Sequence, residues 1–216
     1  MGRLPIVTVV LCALGAGSCD DQPKPTTTRA RTDAVTGRAT GKTATAAPSA
    51  APAPKAPRKI CAGQTKRDGP EAIEDARAAS GATKPGTLEL GKRWVWINVW
   101  AAWCEPCKKE MPMLIAWRDQ LRKAGIDLEL AFVSIDDDER ELTRFLDKQP
   151  ETGVRASYWI PDGDARQKWF ESIGKSEIPP LPVHAFVDPD GKLACVAEGT
   201  LEPTDLPSVK RLLGAR

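Results

Sequence analysis

Two cysteines three positions apart, Cys104 and Cys107, lie in the run Trp103-Cys104-Glu105-Pro106-Cys107. A dithiol at this spacing can open and close, and the chemistry it offers is thiol-disulfide exchange. The elements that must position it are legible on either side. Trp94-Val95-Trp96-Ile97-Asn98-Val99-Trp100 is almost wholly apolar and rich in β-branched and aromatic residues, as expected of a strand buried on both faces. After the motif, Met111, Leu114, Ile115 and Leu121 recur at helical spacing, with Lys108, Lys109, Glu110, Asp119 and Lys123 available for the wet side. Cys104 therefore falls at a strand-to-helix junction, where unpaired backbone amides and the helix dipole stabilise a thiolate.

Half of a zinc site is the competing reading of such a pair. A structural zinc usually takes four ligands, from two cysteine pairs or a pair with two histidines. The other cysteines are isolated and His184 is the only histidine, so no metal or other cofactor is expected.

The stretch from Ala101 through Cys104-Glu105-Pro106-Cys107-Lys108-Lys109-Glu110-Met111 to Pro112, with Leu181-Pro182 and then Phe186-Val187-Asp188-Pro189-Asp190-Gly191, resembles the TlpA/ResA/CcmG branch of thioredoxin-like proteins. The resemblance covers about residues 85 to 200. It implies a thioredoxin fold and an extracytoplasmic, membrane-tethered oxidoreductase, many relatives being reductants that include those of cytochrome c maturation. Cytochrome c precursors are one implied target. No Cys-x-x-Cys-His occurs, so the chain is not itself a cytochrome.

Within that frame Cys104, at the exposed helix start, is the expected attacking thiol, and Cys107, one turn inside and shielded, resolves the mixed disulfide. Lys108 and Lys109 favour the Cys104 thiolate and Glu105 opposes it. Asn98 stands where thioredoxins carry a buried aspartate, and an amide is no general base. Glu110, one helical turn beyond Cys107 and matched to a functional glutamate of ResA-type proteins, is the candidate carboxylate. Pro182 is expected in cis, since X-Pro bonds are the ones for which cis is cheap. In the resembling family this proline lies against the dithiol, and the backbone of Leu181 could pair with a substrate strand. Trp103, Glu105, Pro106, Leu181 and Pro182 thus form the expected substrate-binding surface. His184 is expected to be a packed or surface histidine, and Pro179 and Pro180 to stiffen a loop.

Two further cysteines in an exported protein usually pair. A Cys61–Cys195 bond would stabilise the domain by on the order of 4 kcal/mol. The export reading rests on the first 18 residues: Arg3, an apolar stretch from Leu4 to Leu14, then small residues before Cys19. Small residues before a cysteine resemble a lipoprotein cleavage site, which would leave Cys19 lipidated and the protein anchored to a bacterial membrane; the usual Leu three positions earlier is here Ala16. Ordinary cleavage, with Cys19 a spare thiol, is the alternative.

Residues 19–58 are mostly Thr, Ala, Pro and Lys/Arg and cannot bury enough apolar surface to fold. Such a tether of roughly 40 residues has a reach on the order of 35 Å. With a net charge of +2 the whole chain carries no signal for nucleic acid. The expected partners are exported proteins with disulfides or dithiols, and a membrane protein that donates electrons.

Residues 59–216 then make one domain. The predicted order is a helix over 70–80, a short strand over 87–90, a long strand over 92–100, the motif helix over 105–123, a strand over 128–135 and a helix around Leu142, Phe145 and Leu146. A strand over 156–160, a helix over 165–173, a hairpin of 183–187 with 192–197, and a closing helix follow. Alternating strands and helices, then a hairpin and a helix, imply an α/β thioredoxin fold: a mixed central sheet with helices on both faces and a strand-helix insertion before the cis-proline. Two other functions fit less well. Peroxiredoxins place Thr three and Pro seven residues before the attacking cysteine, where this chain has Ala101 and Ile97; a non-catalytic lipoprotein binding module would leave the intact cysteines unexplained.

Overall fold

The structure, a computed structural model, describes residues 58–61 and 67–214. The expected signal segment, the lipidation site Cys19 and nearly all of the tether lie outside them. Arg58, at the tether's expected end, is held in the domain: its guanidinium donates to Asp205 at 2.7 Å and to the Thr200 carbonyl at 2.7 Å.

Among the described residues, seven strands form a single mixed sheet. In chain order they are β1 (Arg67–Asp68), β2 (Ala76–Ala78), β3 (Trp94–Trp100), β4 (Leu128–Ser134), β5 (Ala156–Trp159), β6 (Val183–Val187) and β7 (Lys192–Glu198), and across the sheet β1-β7-β6-β3-β4-β5-β2. β3 runs parallel to β4 and antiparallel to β6. Being central, it is paired on both edges and buried from Val95 onward, which is why its sequence is an unbroken apolar run. The helices are α1 (Glu105–Lys123), α2 (Glu139–Asp147), α3 (Asp164–Ser172) and α4 (Leu206–Leu212). Packing of α1 brings Trp117 within 6.3 Å of Trp96, and α2 sets Phe145 4.7 Å from Trp100. β5 and α3 are the strand and helix that lengthen the chain before the cis-proline.

Two predicted elements are corrected. Residues 70–80, rich in Ala and Glu, read as a helix, but Ala76–Ala78 is a strand antiparallel to β5, with Ala76 and Ala79 buried. The open edge of β5 supplies backbone partners that outweigh helix propensity. The predicted strand over 87–90 is reduced to one bridge, Leu88 with Ile73. In the β6–β7 hairpin, Asp188 Oδ1 accepts the amides of Asp190 at 3.0 Å and Lys192 at 2.9 Å, and Gly191 takes the positive φ of 75° that closes the turn.

Candidate redox site

Where β3 ends, Ala101, Ala102 and Trp103 lead into α1, and a buried carboxylate holds that bend. Asp136 accepts the Ala102 amide with both oxygens, at 2.9 and 3.0 Å, and the Ser134 hydroxyl at 2.7 Å. Burial pushes its carboxyl above the usual value, and the bonds from Ser134 and Ala102 only partly offset this. The neighbouring Asp138 is the N-cap of α2. Of the three consecutive aspartates, only Asp136 is turned inward, and sequence reasoning did not single it out.

Cys104 is the N-cap of α1 and is joined to Cys107 by a disulfide. Its sulfur also accepts the Cys107 amide at 3.3 Å, one of the donors a helix start leaves unpaired. Cys107 is completely buried, but Cys104 is only 4% exposed, more shielded than the sequence implies. The open flank is Trp103, 60% exposed. Lys108 reaches back to Glu105 at 2.5 Å and, through that hydrogen bond, holds the Glu105 carboxyl below its usual value. Of the three charges expected to act on the Cys104 thiolate, Lys108 and Glu105 are therefore paired with each other and offset one another. That leaves the exposed Lys109 and the helix N-terminus to favour the thiolate.

Beside the disulfide lies an open groove of about 710 Å³. Trp103, Cys104, Glu105 and Pro106 form one wall, and Ile178, Pro179, Pro180 and Leu181 the other. Four of the five expected substrate-binding residues thus meet around Cys104. The fifth, Pro182, follows a cis Leu181–Pro182 bond; it is buried just behind Leu181, and its carbonyl accepts the Gly199 amide at 2.9 Å. The prolines read as loop stiffeners, Pro179 and Pro180, are groove wall. Ile178, 42% exposed, is an apolar residue on the same wall that the sequence did not mark.

Glu110 does not take the wet side of α1. It is 2% exposed and sits among donors: Asn98 Nδ2 at 2.9 Å from Oε1 and the Leu201 amide at 3.0 Å from Oε2. His184 Nε2 lies 3.4 Å from Oε1. Helix periodicity alone could not show this, because the loop after β7 folds over that side of α1. Across the sheet, Asn98 on β3 is the direct register partner of His184 on β6, so a buried carboxylate, amide and imidazole converge one turn beyond Cys107. Cys61 and Cys195 are joined in a second disulfide, linking the segment before β1 to β7. Among the described residues, no three His, Cys, Asp or Glu side chains form a group able to hold a metal ion.

A mixed sheet, a disulfide capping the helix after its central strand and a cis Leu181–Pro182 bond whose Leu181 shares the groove with Cys104 define a thioredoxin-fold dithiol protein. The chain belongs to the AhpC/TSA family, whose model matches residues 78–196. It is 30% identical over 114 residues to the thiol-disulfide oxidoreductase ResA of Oceanobacillus iheyensis, covering 52% of this chain and 53% of that one. To ResA of Bacillus subtilis it is 26% identical over 113 residues, 52% and 57% of the two chains. The chain thus spans about half the length of the curated relatives it matches. A putative thiol:disulfide interchange protein DsbE from Chlorobium tepidum shares the fold, with a TM-score of 0.52 and 18% identity over 71% of this chain and 98% of that one.

Proposed function

We propose that this protein is a thiol-disulfide oxidoreductase that reduces disulfides in exported proteins through the Cys104–Cys107 dithiol. The observation that carries the reading is the placement of that disulfide: its first sulfur caps α1 and lines an apolar groove able to take an extended substrate segment. In the reduced protein the Cys104 thiolate attacks a substrate sulfur, forming a mixed disulfide and expelling the other substrate sulfur as a thiolate, which takes a proton from water. Cys107 then gives its proton to Glu110 and attacks Cys104. The Cys104–Cys107 bond forms, the remaining substrate sulfur leaves as a thiolate, and two electrons have passed to the substrate. The substrate backbone pairs beside Leu181 and Pro182, and Trp103 supplies an apolar flank.

Similarity to ResA supports an extracytoplasmic setting, with re-reduction by a membrane electron donor and cytochrome c precursors among the candidate substrates. Anchoring through a lipid on Cys19 and a flexible tether over residues 19–58 completes the reading; no described helix is long and apolar enough to cross a membrane. Cys19→Ser should move the protein from the membrane to the soluble fraction, and unchanged fractionation would remove the lipid anchor. A peroxidase has little support. The position three before Cys104 is Ala101, which offers no hydroxyl beside the thiolate and whose carbonyl accepts the Cys104 amide at 2.9 Å.

The deciding experiment is the equilibrium reduction potential of the Cys104–Cys107 pair in the purified protein, read by thiol trapping in graded dithiol buffers with Cys104→Ser as control. A value at or below about −220 mV supports a reductant. One near about −120 mV reverses the direction, and no reversible couple removes the enzyme reading.

A further inference from the structure

One buried group beneath the disulfide has no part in the exchange steps above. His184 is fully enclosed on β6. Its Nδ1 faces two donors, the Trp96 indole N–H at 3.2 Å and the Asn98 amide nitrogen at 3.4 Å. The Asn98 orientation follows from its other contact, since the atom 2.9 Å from the Glu110 carboxylate must be the NH₂ group, which has a second hydrogen left for His184. A ring nitrogen that accepts carries no proton, so the neutral imidazole holds its hydrogen on Nε2. Nε2 has no hydrogen bond and lies 3.4 Å from Glu110 Oε1. A buried donor left unpaired is costly, and the acceptor in reach is the carboxylate.

We propose that His184 is a positioning residue for Glu110: locked as the Nε2–H tautomer by Trp96 and Asn98, it is the third donor of a cage that holds the carboxylate ready for the Cys107 proton. The proposal rests on the exchange reading and names a further part of its machinery. Two donors bond the carboxylate, Asn98 on β3 and the Leu201 amide after β7, and His184 Nε2 on β6 stands 3.4 Å from it, so its surroundings are set by the tertiary fold rather than by its own helix. Hydrogen bonds donated to a carboxylate favour its ionised form. When Cys107 must lose a proton, the acceptor is then vacant.

The other groups facing the cluster are Cys107, one turn earlier on α1, and Asp205 from the turn before α4. Asp205 acts on His184 electrostatically and is itself paired with Arg58 at 2.7 Å. Burial alone would raise the Asp205 carboxyl, but Arg58 and the Glu202 amide bring it below its usual value, so it remains a fixed negative charge across the range in which Cys107 closure is read.

The test uses the reduced full chain and dithiobis-nitrobenzoate, which releases one chromophore as Cys104 attacks and a second as Cys107 closes the disulfide. His184→Leu should leave the first release unchanged and move the acidic limb of the second to higher pH, slowing closure about tenfold on that limb, as loss of one hydrogen bond to a charged group implies. His184→Gln, which keeps an N–H donor, should restore most of the rate. A limb that does not move in His184→Leu, or Leu and Gln variants that behave alike, would overturn the proposal. Wild-type protein supplies an independent check, because His184 is the only histidine in the chain. With any affinity tag removed, its imidazole ¹⁵N shifts should report hydrogen on Nε2, and hydrogen on Nδ1 would overturn the proposal even if the Leu variant fails to fold. Wild-type protein that releases no second chromophore would remove the exchange reading and this proposal together; normal release with an unmoved limb removes only the role of His184.

Discussion

Cys104–Cys107 and Cys61–Cys195 are the same covalent bond closing loops of very different length, with sequence separations of 3 and 134. Exposure does not mark the short bond as the reactive one, since Cys104 and Cys107 are 4% and 0% exposed, whereas of the other pair Cys195 is buried and Cys61 half-buried. Their surroundings do. Cys104 caps a helix beside a groove, with a caged carboxylate one turn beyond its partner, whereas Cys195 lies in the β6–β7 ladder opposite Phe186. In the loop-entropy account, opening the short loop forfeits about 2 kcal/mol of stabilisation and opening the long one on the order of 4 kcal/mol. On the proposed function, the bond that turns over is the one that is cheap to open, with Glu110 one turn beyond it, and the long bond closes most of the domain.

The largest effect that could break this comparison is loss of exchange itself. Cys104→Ser should abolish reduction of a disulfide substrate in a stopped assay, while Cys195→Ser keeps it. A folded Cys195→Ser protein without activity would mean that the long bond takes part in turnover. Next in size, replacing Cys61 and Cys195 together by Ala should lower the unfolding free energy by on the order of 4 kcal/mol in urea titrations. A loss of less than about 1 kcal/mol would show that the long bond is not the structural one.

Glu110→Gln sharpens the short-bond side. Closure by Cys107 should slow about a hundredfold at neutral pH while the first attack by Cys104 is unaffected, the signature of a lost general base. Equal slowing of both steps would assign Glu110 a structural role instead.

The smallest effect concerns Asp136, which holds the bend before Cys104. Because burial raises its folded carboxyl above its usual value, the folded chain binds a proton that the unfolded chain has released. Stability contributed at this site is therefore present at low pH, falls as pH rises from the unfolded value through the raised one, and then levels off. Asp136→Asn should flatten that falling part of the curve of Tm against pH, above the usual carboxylate range. A slope equal to that of wild type would assign the titration to another group.

Local pattern was enough for the elements nearest the chemistry. The apolar run of β3 and the 3.6-residue spacing of α1 lie within single segments, and both are found where the sequence places them, α1 over Glu105–Lys123. The cis bond at Leu181–Pro182 and the 183–187 strand follow from the motif downstream. The segment 70–80 failed for the complementary reason: its composition favours a helix, and only the free edge of β5, some eighty residues later, makes it a strand. Glu110 was legible as a candidate base but not as a buried one, and His184 was legible only as a lone histidine.

By itself, then, the sequence determined the dithiol, its place at a strand-to-helix junction and the class of fold, because these depend on residue type and on periodicities shorter than one element. The tertiary structure alone decided what surrounds the sulfurs. Register between β3 and β6 sets Asn98 opposite His184, and the chain after β7 brings the Leu201 amide onto Glu110. These contacts join residues 86 and 91 positions apart, and nothing in a local pattern encodes which distant partner a buried polar group will meet.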